Sequence, residues 1–179
     1  MRSDISQALE EFEIKTFGNK KNIEKAEKLV NPDEQVLFIT PTNCIITSSS
    51  KRKKETLPGI AILTNKRFIF GFNALSNTSL ETIPVSEINS VNCKGNGITG
   101  GHLEIHTITK TYDILVSYKK EIMQKIQNIF EQAKSNANTN VTQSVFSSAD
   151  EIVKFKQLLD QGIITQEEFD KKKQQLLGL

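Results

Sequence analysis

Hydrophobic positions along the chain change their period twice, and the changes mark its parts. From the start to about residue 31 they recur at helical spacing: Ile5, Leu9 and Phe12, then Phe17, then Ile23, Ala26 and Val30. Gly18-Asn19 breaks the first run. Asn31-Pro32 ends the second, because a residue before proline avoids the helical region. From about Glu34 the pattern shortens to strands: QVLFIT, NCIITSS, GIAILT, RFIFGF, SLETIPV, INSVNC, HLEIHTI and TYDILV. Thr64-Asn65-Lys66-Arg67 joins two of the strongest as a hairpin. Asn96-Gly97 and Gly100-Gly101 mark another turn. Short strands at such spacing predict an antiparallel sandwich or barrel. The helical period then returns in SYKKEIMQKIQNIFEQAK, where Ile122, Met123, Ile126, Ile129, Phe130 and Ala133 form one stripe and Ser117 is the predicted N-cap. A barrel with an open end can be plugged by such a helix.

Residues 135–147 are polar and without clear period, and predict a flexible linker. Residues 148–179 carry helix signals again. Ser148 with Glu151, and Thr165 with Glu168, are capping boxes, and Gly162 stands where a helix C′ glycine belongs. The partition is therefore a helical segment over 1–31, a strand-rich domain over 32–134, the linker, and a two-helix hairpin. The fold class is α+β.

Composition narrows the function. The chain has 179 residues, 23 basic and 21 acidic, a balance that disfavours a dedicated nucleic-acid binder. The excess lies in the strand-rich domain, since residues 1–30 carry six charges of each sign and residues 134–179 do too. No apolar run reaches the ~18–20 residues that span a bilayer. MRSDISQALEEFEIK puts acids where a secretion signal needs an apolar stretch. Two cysteines, Cys44 and Cys93, make no disulfide framework, so the expected location is cytoplasmic.

Two resemblances rest on particular residues. LPGIAILTNKRFIFGF (Leu57 to Phe72), then ETIPVSEINSV and the closing helix, resemble the bacterial pleckstrin-homology-like (PH-like) family in its YokE-like branch. That resemblance implies a seven-stranded, two-sheet PH barrel capped by a C-terminal helix. LLDQGIITQEEFDKKKQQLLGL resembles the SHOCT module, a short C-terminal domain found behind unrelated bacterial domains. It implies an oligomerisation or docking element. The pair implies a Gram-positive bacterium or one of its prophages.

Among chemical candidates, Lys51, Arg52, Lys53 and Lys54 form a basic tetrad between two strands. By resemblance to PH domains it is a candidate site for an anionic ligand. It would also be drawn to an anionic membrane at ~1 kcal/mol per charge. The plainer reading is a solvated loop that deters edge pairing. Lys66 and Arg67 are expected to be the exposed turn of a ribbon. GNGITGG (Gly95 to Gly101) lacks the lysine and following helix of a phosphate loop. His102 and His106 would share a strand face, but no third metal ligand is apparent and none is expected. Cys44 and Cys93 could be neighbours. No nucleophile–base arrangement stands out, so neither an enzyme nor a cofactor is expected. The acidic first helix is expected to pack on the barrel or another subunit rather than on lipid.

The hairpin carries the strongest physical argument. Chains below ~40 residues rarely fold alone. Yet Ile152, Phe155, Leu158, Leu159, Ile163, Ile164, Phe169, Leu176 and Leu177 are more apolar surface than a spacer needs. Ile152, Phe155, Leu159, Ile164, Phe169 and Leu176 are thus candidates for oligomerisation or docking, with a copy of the chain or another protein as partner, the plainer reading being a hairpin folded back on its own barrel. The expectation is a non-enzymatic binding and assembly protein. The alternative is a peripheral module that meets anionic lipid through residues 51–54.

Overall fold

The computed structural model describes residues 1–48, 54–73, 78–145 and 148–177. Helices α1 (Ser3–Glu11) and α2 (Lys20–Ala26), with a 3-10 turn at Glu27–Leu29, come first. Seven strands follow: β1 (Val36–Ser48), β2 (Lys54–Thr64), β3 (Arg67–Asn73), β4 (Thr78–Pro84), β5 (Ser90–Asn96), β6 (Gly100–His106) and β7 (Lys110–Val116). The last elements are α3 (Lys120–Val145), α4 (Ser148–Asp160) and α5 (Gln166–Leu177). The chain divides into two units, Met1–Ala137 and Asn138–Leu179.

All strand pairs are antiparallel, in the order β4-β3-β2-β1-β7-β6-β5. QVLFIT and NCIITSS, read from sequence as two strands, are one. β1 runs through Pro41, which sits opposite Ile60 on β2. β7 joins β1 only from Cys44 onward, so at Pro41 the strand has a free side where a missing N–H costs nothing. Thr42 bridges the gap: its hydroxyl donates to the Leu115 carbonyl and accepts from the Leu115 N–H, both at 2.9 Å.

The sheet curls onto itself. On a flat sheet β4 and β7 would lie about 19 Å apart, four strand spacings. Instead the Lys110 ammonium on β7 is 2.8 Å from both carboxylate oxygens of Glu81 on β4, and the Tyr112 hydroxyl donates to Glu81 at 2.8 Å. Inside the curl lie Phe38, Leu63, Phe68, Leu103, Ile105, Tyr112 and Ile114, all buried. α3 closes the interior with Ile122, Ile126, Phe130 and Ala133, and Phe130 meets the rings of Phe38 and Phe68 with centroids 6.3 and 6.2 Å apart. The stripe read from sequence is thus the buried face. The helix starts later than expected: Lys119 precedes its first residue, and the Ser117 hydroxyl accepts the Lys119 N–H at 3.3 Å.

β2 is buried on both faces from Ile60 to Thr64, a continuous run rather than an alternation. The reason is the N-terminal segment. Ile5, Ala8, Leu9, Ile23 and Ala26 belong to the same core as Ile39, Ile62 and Ile69. A Cβ on Gly71 would meet the Leu29 side chain at 2.8 Å, so β3 has glycine where the 3-10 turn lies against it. The first thirty residues therefore pack on the barrel, as expected.

α3 continues to Val145, so the backbone over 135–145, expected as linker, is helical. No glycine or proline interrupts that stretch, and a nucleated helix propagates at little cost. In the second unit α4 ends in a Schellman motif: Gly162 has φ of 70°, Ile163 N–H donates to Leu158 and Gly162 N–H to Leu159, both at 2.9 Å. The Thr165–Glu168 capping box closes as read, with Thr165 N–H donating to the Glu168 carboxylate at 2.8 Å.

Candidate functional site

The hairpin motif that carries the family resemblance is a structural clasp. Thr64 Oγ1 accepts the N–H groups of Lys66 and Arg67 at 3.1 and 3.0 Å, and donates to the Arg67 carbonyl at 3.1 Å. Asn65 exchanges bonds with Gln35, its N–H donating to the Gln35 carbonyl and its Oδ1 accepting the Gln35 N–H, both at 3.0 Å. Arg67 is not the exposed turn residue expected. Its guanidinium grips the Glu34 carboxylate at 2.8 and 3.0 Å and also donates to the Leu29 carbonyl at 3.0 Å. The Glu34 side chain is only 2% exposed. Lys66 is exposed as expected, paired with Asp33. Nearby, Asp4 accepts the N–H groups of Val36 and Ile5 at 2.8 and 2.9 Å and pairs with Arg2. Arg2 also donates to the backbone carbonyls of Glu34 and Asn31.

These groups line an open recess of about 520 Å³ bounded by Arg2, Asp4, Pro32, Asp33, Gln35 and Asn65. Arg2, Asp4, Asp33, Gln35 and Asn65 already have protein partners there. The recess is a seam between the N-terminal segment and the barrel.

Of the basic tetrad, Lys51, Arg52 and Lys53 lie outside the described residues, and Lys54 is exposed at the start of β2, opposite Thr47. β1 ends at Ser48, whose cross-strand partner is Lys110, so the β6–β7 turn lies at this same end of the barrel. Ile108 projects from that turn with 83% of its surface exposed. Lys110 is held by Glu81, and burial, then Glu81, pushes the Tyr112 hydroxyl well above its ordinary value. No signal in the sequence couples Glu81 to Lys110 and Tyr112, about thirty residues apart; only the curl of the sheet does.

The remaining candidates resolve into structure. His102, Glu104 and His106 share one face of β6, but positions i and i+4 on a strand are about 13 Å apart. His102 Nδ1 lies 2.8 Å from Asp113 and His106 Nδ1 3.2 Å from Thr111. Among the described residues no group of three or more His, Cys, Asp or Glu could hold a metal. Cys44, Ile114, Leu103 and Cys93 form one cross-strand row over β1, β7, β6 and β5. The cysteines share a face but stand three strand spacings apart, about 14 Å on a flat sheet. Burial pushes the Cys44 thiol up to about 12, with Asp113 and Glu81 adding to it, and burial alone pushes Cys93 up to about 11. Gly95 and Gly101 of GNGITGG serve close backbone approach. A Cβ on Gly95 would lie 2.2 Å from the Gly100 carbonyl oxygen, and one on Gly101 2.3 Å from that of Ser117.

In the hairpin, α4 carries Ile152, Phe155 and Leu159, α5 carries Phe169 and Leu176, and Ile164 lies in the turn between these two packed helices. Phe169 is buried, at 8% exposure, with Lys172 over the Phe155 ring at 5.7 Å. Ile152, Phe155, Leu158, Leu159, Ile164 and Leu176 are half-buried, and Val153, Ile163 and Leu177 are exposed. Among the described residues no helix is long and apolar enough to cross a membrane.

Comparison with known proteins follows this division. The family model for the bacterial PH domain matches residues 30–144, and that for the short C-terminal domain (SHOCT) matches residues 150–177. No curated protein matches. Among solved structures the Vps36 N-terminal PH domain is 19% identical, with 62% of this chain and 86% of that chain covered and a TM-score of 0.41. A PH-domain protein from Shewanella loihica is 13% identical, covering 64% and 92%, with a TM-score of 0.42. The N-terminal PH domain of human ARAP2 is 19% identical, covering 54% and 78%, with a TM-score of 0.39.

Proposed function

The chain belongs to the bacterial PH domain family and carries a short C-terminal domain behind it, and from that premise we propose a non-enzymatic binding and assembly protein of the cytoplasm. The barrel presents a surface to a protein or ligand, and the hairpin associates with its own copies or docks on another protein. One observation supports the second role above all. Among its described residues the hairpin buries a single large apolar side chain, Phe169, while nine others remain half-buried or exposed. A fold of this size gains stability by covering such a surface with a partner. Linking several barrels through it would raise a weak barrel affinity by effective concentration. Light scattering on a sizing column tests this with the full chain and a chain ending at Ala137. An oligomer that becomes a monomer on truncation supports the role; two monomers refute self-association.

A second reading is contact with anionic lipid through residues 51–54. The placement of Lys54 at the same end of the barrel as the turn that exposes Ile108 favours it, since an apolar tip on the side that carries an exposed cation suits a bilayer surface. Salt-sensitive binding to acidic vesicles, lost when the tetrad is neutralised, would establish it.

A further inference from the structure

The charges of the N-terminal segment are not evenly mixed. Residues 1–14 hold Arg2 against Asp4, Glu10, Glu11 and Glu13, whereas residues 15–28 hold Lys15, Lys20, Lys21, Lys25 and Lys28 against Glu24 and Glu27. All five lysines are exposed. None of them forms an ion pair among the described residues. Glu27 is half-buried and accepts the Arg2 backbone N–H at 3.0 Å, which leaves Glu24 as the exposed carboxylate of the stretch. At 3.6 residues per turn, Lys20, Lys21 and Lys25 fall within an arc of about 140° on α2, with Glu24 among them, opposite the buried Ile23 and Ala26. Lys28, in the turn that follows, extends the same stripe.

Phe17 stands at the head of this stripe with 98% of its surface exposed. It occupies the second position of a tight turn in which the Asn19 N–H donates to the Thr16 carbonyl at 2.9 Å. Gly18, at φ of 75°, supplies the left-handed residue such a turn needs at its third position. The ring is therefore carried on a defined tip and has not been left out for want of a place in the core.

We propose that this α1–α2 corner, Phe17 with the lysines around it, is a contact for an anionic lipid bilayer. An exposed aromatic side chain at the head of a row of unpaired ammonium groups matches a surface that is negatively charged outside and apolar beneath. The cations are all lysines, point charges suited to mobile headgroups rather than to the bidentate recognition arginine gives. Counting Glu24 with Glu10 and Glu11 of α1, the corner keeps an excess of two positive charges, so a single contact is weak and salt-sensitive.

The corner is distinct from the basic tetrad. Glu13 pairs with Lys119, which follows the end of β7, and β7 runs antiparallel to β1. The corner thus lies toward the end of the barrel opposite Ser48 and Lys54. One barrel does not lay both ends on the same flat bilayer, so the two contacts are separable.

The chain has no tryptophan, so Phe17→Trp makes a single reporter in the full-length protein. Its emission should shift to the blue with phosphatidylcholine vesicles containing phosphatidylglycerol, not with phosphatidylcholine alone, and return on adding salt. Phe17→Ser should weaken co-sedimentation with the acidic vesicles about tenfold or more. Lys20→Gln with Lys21→Gln and Lys25→Gln should abolish it, and neutralising residues 51–54 should leave the tryptophan shift intact. These side chains are exposed, so the variants keep the fold, which circular dichroism verifies. Absence of a shift overturns the proposal. So does vesicle binding that depends on residues 51–54 alone, or a lysine-dependent affinity for heparin or an acidic protein equal to that for vesicles and indifferent to Phe17.

Discussion

Glu34→Ala is the sharpest perturbation of the clasp between the N-terminal segment and the barrel. It removes both bonds to the Arg67 guanidinium and the acceptor of the Asn31 N–H, 3.1 Å away. Breaking a buried ion pair from one side costs about 3–5 kcal/mol, because the other charge stays behind without its partner. Arg67 is 23% exposed and keeps the Leu29 carbonyl, so the cost falls at the lower end, about 3 kcal/mol. At about 2–4 °C per kcal/mol for a chain of this size, the midpoint of the barrel's thermal unfolding should fall by roughly 6–12 °C. Circular dichroism melts and urea titrations would read this. Glu34→Leu with Arg67→Met should recover most of the loss, since an apolar pair of similar volume leaves no orphaned charge. Completing the double-mutant cycle with Glu34→Leu alone and Arg67→Met alone should give a coupling of about 3 kcal/mol or more, because each single variant orphans a charge and the double variant does not. A loss within about 0.5 kcal/mol for Glu34→Ala, or no coupling, would refute the reasoning.

Three further outcomes are expected. Gly59→Ala should destabilise by about 3 kcal/mol in urea titration, because its Cβ would lie 2.4 Å from the Gly71 carbonyl oxygen and 2.8 Å from the fully buried Phe70 ring. Both thiols should resist Ellman's reagent in the native protein at mildly alkaline pH and react once it is unfolded, since burial pushes Cys44 up to about 12 and Cys93 up to about 11. Burial raises the Asp4 carboxyl, but Arg2 and the N–H groups of Val36 and Ile5 outweigh it and hold it below its ordinary value. A depressed folded-state value means that this carboxylate stabilises the fold above the unfolded Asp pKa of about 3.9, and that the contribution is lost as pH falls through the folded value. Asp4→Asn should therefore lower urea-midpoint stability near neutral pH and flatten its decline in acid.

The parts of the fold governed by local rules were legible in the sequence. The α3 stripe, the β2–β3 hairpin, the capping box at Thr165 and the glycine at 162 each depend on residues a few positions apart. Arg67 was misread because its partner Glu34 is 33 residues away, and a turn arginine looks solvated until the chain brings a carboxylate to it. The curl that joins Glu81 to Lys110 has no local signal either. The merging of two strand pieces through Pro41 depends on which side of β1 lacks a neighbour, a fact of pairing rather than of propensity. The basic stretch was hidden by averaging, because the acidic α1 cancels the lysines of residues 15–28 when the first thirty residues are counted together. Surface-borne function leaves less trace than chemistry would, since exposed lysines and half-buried leucines also occur where they do nothing.

The claim that the hairpin associates with its own copies is tested most directly by the solution mass of the full chain beside a variant with Val153→Glu, Ile163→Glu and Leu177→Glu. All three positions are exposed, at 57%, 64% and 49%, so the substitutions spare the hairpin's own packing. If the account is right, the wild-type chain weighs a multiple of its 20.1 kDa and the variant weighs that of one chain. A wild-type mass of one chain at every concentration, or an oligomer the three glutamates leave intact, would contradict it.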